Sequence, residues 1–194
     1  MMLSNNNIAS FFFFSTLIFT LLHSSTSQTL IQDSCKTCSD KDPNVPYGFC
    51  TTSLFAAPAS RCASLKGLGM ISIRLTRYNL TDTRCHIKQL LMSKKLDKYV
   101  RSCLETCFEL YDDALSTVKL AMKSYATKKF DDANIQMSAV MDSATTCEDA
   151  FTEREGVVSP LTARNDATFK LSAIVLYVLH AVQTGSANST TELC

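Results

Sequence analysis

The chain has 194 residues, 46% of them hydrophobic, and a formal net charge of +1. That length suits one domain with a real core. The near-neutral charge, with no basic block, excludes nucleic acid as a partner.

Met1 to Gln28 carry no Asp, Glu, Lys or Arg, and Ile8–Leu22 is strongly apolar, with the run Phe11–Phe14 inside it. Small residues follow at Ser25-Thr26-Ser27. Residues 1–27 therefore read as a secretory signal peptide, since a membrane anchor needs roughly 20 apolar residues and this stretch is shorter. The most apolar later segment, Leu171–Val182, has the length of a core helix, so no membrane association is expected. Export to an oxidising compartment changes the meaning of the nine cysteines, which there are usually disulfide partners.

Residues 28–57 hold Cys35, Cys38 and Cys50 around an Asp42-Pro43-Asn44 turn signal. Cys35 and Cys50 are symmetric about Asp42-Pro43, which predicts a short helical hairpin closed by a Cys35–Cys50 bridge. Cys38 competes, because its midpoint with Cys50 is Asn44, also in the turn. The Cys35-x-x-Cys38 spacing also permits a redox pair or half a zinc site. A thioredoxin-like site needs a βαβ context, and structural zinc needs four ligands with no His nearby to supply one. No metal and no cofactor are expected.

Residues 58–184 show helical periodicity and no convincing strand pattern. A first run steps Leu65, Leu68, Ile71, Leu75, Tyr78 and resumes at Ile87 and Leu91 after the polar Asn79–Arg84 segment. The second steps Leu104, Phe108, Tyr111, Leu115, Val118, Met122, Tyr125; the third Ala133, Met137, Val140, Ala144, Cys147, Phe151. The fourth, weaker, is Leu171, Val175, Val178, Val182. Steps of three and four keep side chains on one helix face. Breaks fall at Lys94–Lys95, at Ala126–Lys129 and at Glu155–Pro160, where Gly156 is a plausible helix C-cap and Pro160 bars continuation. The fold class is all-α: an antiparallel four-helix bundle with an N-terminal disulfide-closed helical hairpin.

In an antiparallel pair, residues equidistant from the turn lie at one height. Cys107 and Cys147 are centred on Thr127, inside the second break, and both flank an apolar stripe, so they lie within disulfide reach. Cys38, Cys62, Cys85, Cys103 and Cys194 are left unassigned. Residues 185–194 form a polar tail. Asn79 and Asn188 begin N-x-Thr sequons, the glycosylation acceptors of a secreted chain.

Catalytic signatures are missing: there is no G-x-S-x-G, HExxH or glycine-rich phosphate loop. His180 sits in the apolar last helix. Asp112-Asp113 read as a solvated helix edge, and Asp131-Asp132 as first-turn acids that complement the helix dipole. The chain is not expected to be an enzyme.

The hairpin with Pro43-Asn44-Val45-x-Tyr47-x-Phe49-Cys50 resembles that of the plant invertase/pectin methylesterase inhibitor family. So do Lys66-Gly67-Leu68-Gly69, Cys107-x-x-Leu110-Tyr111-x-x-Ala114, Ser138-Ala139-x-Met141, Thr146-Cys147-Glu148-Asp149-x-Phe151 and Val158-Ser159-Pro160-Leu161. The likeness covers nearly the whole mature chain and is greatest to a branch with plane-tree pollen allergens and invertase-inhibitor-like proteins. It implies a secreted, non-catalytic protein of the apoplast or cell wall that blocks a carbohydrate enzyme, pectin methylesterase or acid invertase. Invertase inhibitors of the family carry a Pro-Lys-Phe hook at the turn between the second and third bundle helices. Here that turn reads Lys128-Lys129-Phe130, so the lysine and phenylalanine match and the proline does not. Two readings of the turn stand at this point: Lys129 and Phe130 as a target-binding hook, or two solvated lysines beside a Phe130 packed into the bundle base. The missing proline favours pectin methylesterase. A non-inhibitory secreted bundle is the alternative.

Overall fold

A computed structural model describes residues 29–185. The signal-peptide segment, the Asn188 sequon and Cys194 lie outside the described residues. Helix α1 covers residues 29–41 and α2 Tyr47–Phe55, and a 3-10 turn covers Pro58–Cys62. The long helices are α3 (Leu65–Leu91), α4 (Lys98–Ala126), α5 (Phe130–Thr152) and α6 (Thr162–Thr184). There is no strand among the described residues. Helices α3 and α4, α4 and α5, α5 and α6, and α6 and α3 pack side by side around one core, giving a four-helix bundle.

The helix ends follow local chemistry. Ser64 caps α3 by accepting the Gly67 amide at 3.2 Å. The Asp97 carboxylate caps α4, accepting the Tyr99 amide at 2.9 Å. Gly156 is not the cap of α5: that helix ends at Thr152, and Gly156, at φ 79°, sits in a separate turn where the Val157 amide donates to the Arg154 carbonyl. Its freedom at positive φ serves that turn.

The core stripes differ from the apolar runs most in α3 and α4. Helix α3 passes unbroken through Asn79–Arg84. Its buried face there is Thr76, Leu80, Thr83 and Ile87, while Tyr78 is 60% exposed. Two of the small hydroxyl residues in the core are satisfied by their own helix, Thr76 donating to the Ser72 carbonyl at 3.0 Å and Ser72 to that of Leu68 at 2.9 Å, whereas the buried Thr83 hydroxyl has no partner among the described residues. On α4 the fully packed positions beside Leu104, Tyr111, Val118 and Tyr125 are Cys107, Ala114 and Ala121, with Phe108, Leu115 and Met122 only half-buried. Close helix approach needs small residues on the seam, and larger ones flank it. On α5 all six residues of the apolar run are buried.

The hairpin forms a second core. Ile31, Cys35, Cys38, Val45, Cys50 and Leu54 pack onto Leu68 of α3 and Ala173, Ile174 and Val178 of α6. Two cation–π contacts tie the same surfaces: Lys41 lies over the Tyr177 ring at 5.8 Å, and Lys170 over Phe49 at 5.5 Å. Asp42 shapes the hairpin turn by accepting the Asn44 amide at 2.9 Å. Helix α6 is long and apolar enough to cross a membrane by composition, but half of that stretch is buried inside the protein.

Candidate functional site

The α4–α5 turn sits at one end of the bundle, beside the start of α3 and the end of α6. Two crossed hydrogen bonds close α4: the Lys128 amide donates to the Tyr125 carbonyl at 3.0 Å, and the Lys129 amide to that of Ser124 at 2.8 Å. This is the Schellman arrangement, whose left-handed position glycine usually fills. Here Lys128 fills it at φ 61°. A side chain in that region costs about 1 kcal/mol, so the turn is held strained by its surroundings.

Lys128 and Lys129 are exposed, and Phe130 is half-buried. The Phe130 ring meets the Tyr125 ring edge-on, with centroids 5.3 Å apart and planes at 65°. The lysines thus face solvent while the phenylalanine turns into the base of the bundle. Asp131 and Asp132 occupy the first turn of α5, and Asp131 accepts a hydrogen bond from Gln183 of α6 at 2.6 Å. Tyr125 is buried, and its hydroxyl donates to the Lys66 carbonyl of α3 at 2.8 Å. Burial pushes its phenol up to about 12.

Farther along the bundle a polar chain joins all four helices. The buried Tyr111 hydroxyl of α4 donates to Asn165 Oδ1 of α6 at 2.7 Å, and Asn165 Nδ2 donates to Glu148 of α5 at 2.6 Å. Thr162 donates to the other Glu148 oxygen at 2.5 Å, and Thr168 of α6 donates to Asn79 Oδ1 of α3 at 2.6 Å. The anionic Glu148 orients the Asn165 amide, and the amide in turn orients the tyrosine hydroxyl. Asn79 is therefore half-buried in mid-helix, with its side-chain oxygen engaged by a fully buried threonine. The apolar runs concealed this chain because its members are spread over four helices.

The structure joins Cys35 to Cys50, with Cα atoms 5.6 Å apart, and Cys107 to Cys147 at 4.9 Å. All four are buried. Cys38 is a free buried thiol, pushed up to about 11 chiefly by burial and also by the Asp42 carboxylate. Cys103 is free and buried, with its sulfur 3.2 Å from the Ala150 carbonyl that also accepts Tyr99. Cys62 and Cys85 are free and exposed. His180 is exposed on α6. No cluster of three or more potential metal ligands occurs among the described residues.

Residues 29–178 match the family model described as plant invertase/pectin methylesterase inhibitor. The chain belongs to that family. Its members are enzyme inhibitors, not enzymes themselves. This inhibitor-family chain is 40% identical to a Platanus acerifolia protein named "Putative invertase inhibitor", over 86% of this chain and 92% of that one. It is 34% identical to "Pectinesterase inhibitor 12" of Arabidopsis thaliana, over 85% of this chain and 95% of that one. A crystal structure of a mutant form of a pectin methylesterase inhibitor from Arabidopsis aligns with a TM-score of 0.65 at 23% identity, covering 75% of this chain and 95% of the other. That alignment shows a shared fold.

Proposed function

We propose that this chain is secreted to the plant cell wall and there blocks a carbohydrate enzyme, pectin methylesterase ahead of acid invertase. The order of targets rests on the Lys128 backbone. A Pro-Lys-Phe hook in this register would put proline at position 128, and a proline ring holds φ near −65°. Lys128 stands at φ 61°, so the turn is built differently from such a hook. Phe130 also packs against Tyr125 instead of standing out as an anchor for a target pocket.

The second reading is an acid invertase target, with Lys128, Lys129 and Phe130 as the contact. Two exposed lysines on a rigid turn complement the paired carboxylates of a glycosidase cleft, and the name of the Platanus relative favours this target. In either reading inhibition is a matter of non-covalent docking, and the two disulfides keep the docking surface rigid, which limits the ordering cost of association.

The test is a titration of the oxidised protein against plant pectin methylesterase and acid invertase separately, at mildly acidic pH. Inhibition of pectin methylesterase that survives Lys129→Ala and Phe130→Ala is the expected result. Invertase inhibition lost in those variants reverses the order of targets. A protein inactive on both enzymes is a non-inhibitory secreted bundle.

A further inference from the structure

Gly69 lies in the interior of α3, where a glycine ordinarily weakens a helix. Its surroundings explain it. A Cβ built at Gly69 would stand 2.7 Å from Cζ of Tyr125 and closer still to the phenol oxygen. The tyrosine from the last turn of α4 thus fills the space that a side chain on α3 would take. From there its hydroxyl reaches the Lys66 carbonyl at 2.8 Å, its ring backs Phe130 at 5.3 Å, and its own carbonyl accepts the amide of the strained Lys128 at 3.0 Å. Phe130 and the Lys128 amide, on either side of the Lys129 cation, are thus both held by one residue that is itself pinned to a third helix.

We propose that Tyr125, seated by the missing side chain of Gly69, is the positioning residue of the α4–α5 turn and sets how Lys128 and Lys129 are presented. Its consequence for inhibition rests on the turn touching the target, as in the second reading above. Its consequence for the turn does not.

Trypsin reads the turn directly, because it cuts after lysine. Tyr125→Phe keeps the ring and removes only the hydroxyl. Cleavage after Lys128 or Lys129 is then expected to quicken roughly fivefold, the loss of one ordinary hydrogen bond, while cleavage after Lys98 at the far end keeps its rate. Equal cleavage at the turn in wild type and variant overturns the proposal. Gly69→Ala gives a second, independent sign. A glycine that merely sits in a helix gives a higher Tm on substitution by alanine. Here a lower Tm and faster cleavage at the turn are expected, and a higher Tm with unchanged cleavage overturns the seat. Where Lys129→Ala weakens inhibition in the enzyme titrations, so that the turn touches the target, Tyr125→Phe is expected to weaken it in the wild-type background and to change nothing further once Lys129→Ala is present. If Lys129→Ala alone leaves the inhibition of both enzymes intact, the turn is no target contact and that reading falls, while the trypsin rates still decide the role of Tyr125.

Discussion

The N-terminal hairpin and the α4–α5 pair are both antiparallel helix pairs closed by one disulfide, 15 residues apart in the first and 40 in the second. Chain entropy assigns the larger stabilisation to the longer loop, about 4 kcal/mol against about 3. Dependence on the bridge runs the other way. Helices α4 and α5 span 29 and 23 residues and share a core with two more long helices, so their bridge adds to packing already in place. Helix α2 has nine residues, too few to hold itself, and the hairpin has only a thin apolar patch against α3 and α6. A covalent link therefore matters most where burial is least, even when its own free energy is smaller.

The largest effect expected is from Cys107→Ala with Cys147→Ala. The pair should lower global stability by about 4 kcal/mol, seen as one shifted denaturant transition with a somewhat steeper slope, because the unfolded chain without its crosslink exposes more surface. Removing Cys35 and Cys50 in the same way should cost about 3 kcal/mol, but locally. Hydrogen exchange should then show residues 29–55 losing protection while α4 and α5 keep theirs. One common transition in both variants would erase the distinction between the two regions.

Alkaline pH separates the regions without mutation. The Cys38 thiol is raised from about 9 to about 11, and the Tyr111 and Tyr125 phenols from about 10 to about 12. Each group, once unfolded, releases its proton at lower pH than when folded. The stability it contributes is therefore intact below the unfolded value and lost as pH rises through the folded one. Hairpin protection should begin to fall above about pH 9, and bundle protection only above about pH 10. Cys38→Ala should remove the earlier step.

Smaller effects test the helix ends of the bundle. Asp97→Ala removes the carboxylate that caps α4 and should cost about 1 kcal/mol. Lys128→Gly should raise stability by about 0.5–1 kcal/mol, since glycine takes the left-handed position without strain. Both are read as shifts in the denaturant midpoint, and a destabilising Lys128→Gly would mean that the lysine side chain itself supports the turn.

The helices were legible wherever apolar residues carried the period. The α5 stripe, from Ala133 to Phe151, coincides with its buried face. It failed where the core is polar or small. Thr76 and Thr83 of α3 and Ala114 and Ala121 of α4 are buried, yet a reading by hydrophobicity passes over them for Tyr78, Leu115 and Met122. At the candidate site, the position of the turn and its two lysines were readable. The Tyr125 seat was signalled only by a glycine inside a helix at Gly69, whose reason lies 56 positions along the chain.

By itself the sequence determined the helical class, the chain reversals and which thiols share a height. Those depend on periodicity and on the constant sum of residue numbers across an antiparallel pair, both local properties of the chain. Only the tertiary structure decided which side chains share the core, that Lys128 is held left-handed, and that Phe130 faces inward on Tyr125. Those outcomes depend on the distance of closest approach between helices remote in sequence, which packing sets and no single segment encodes.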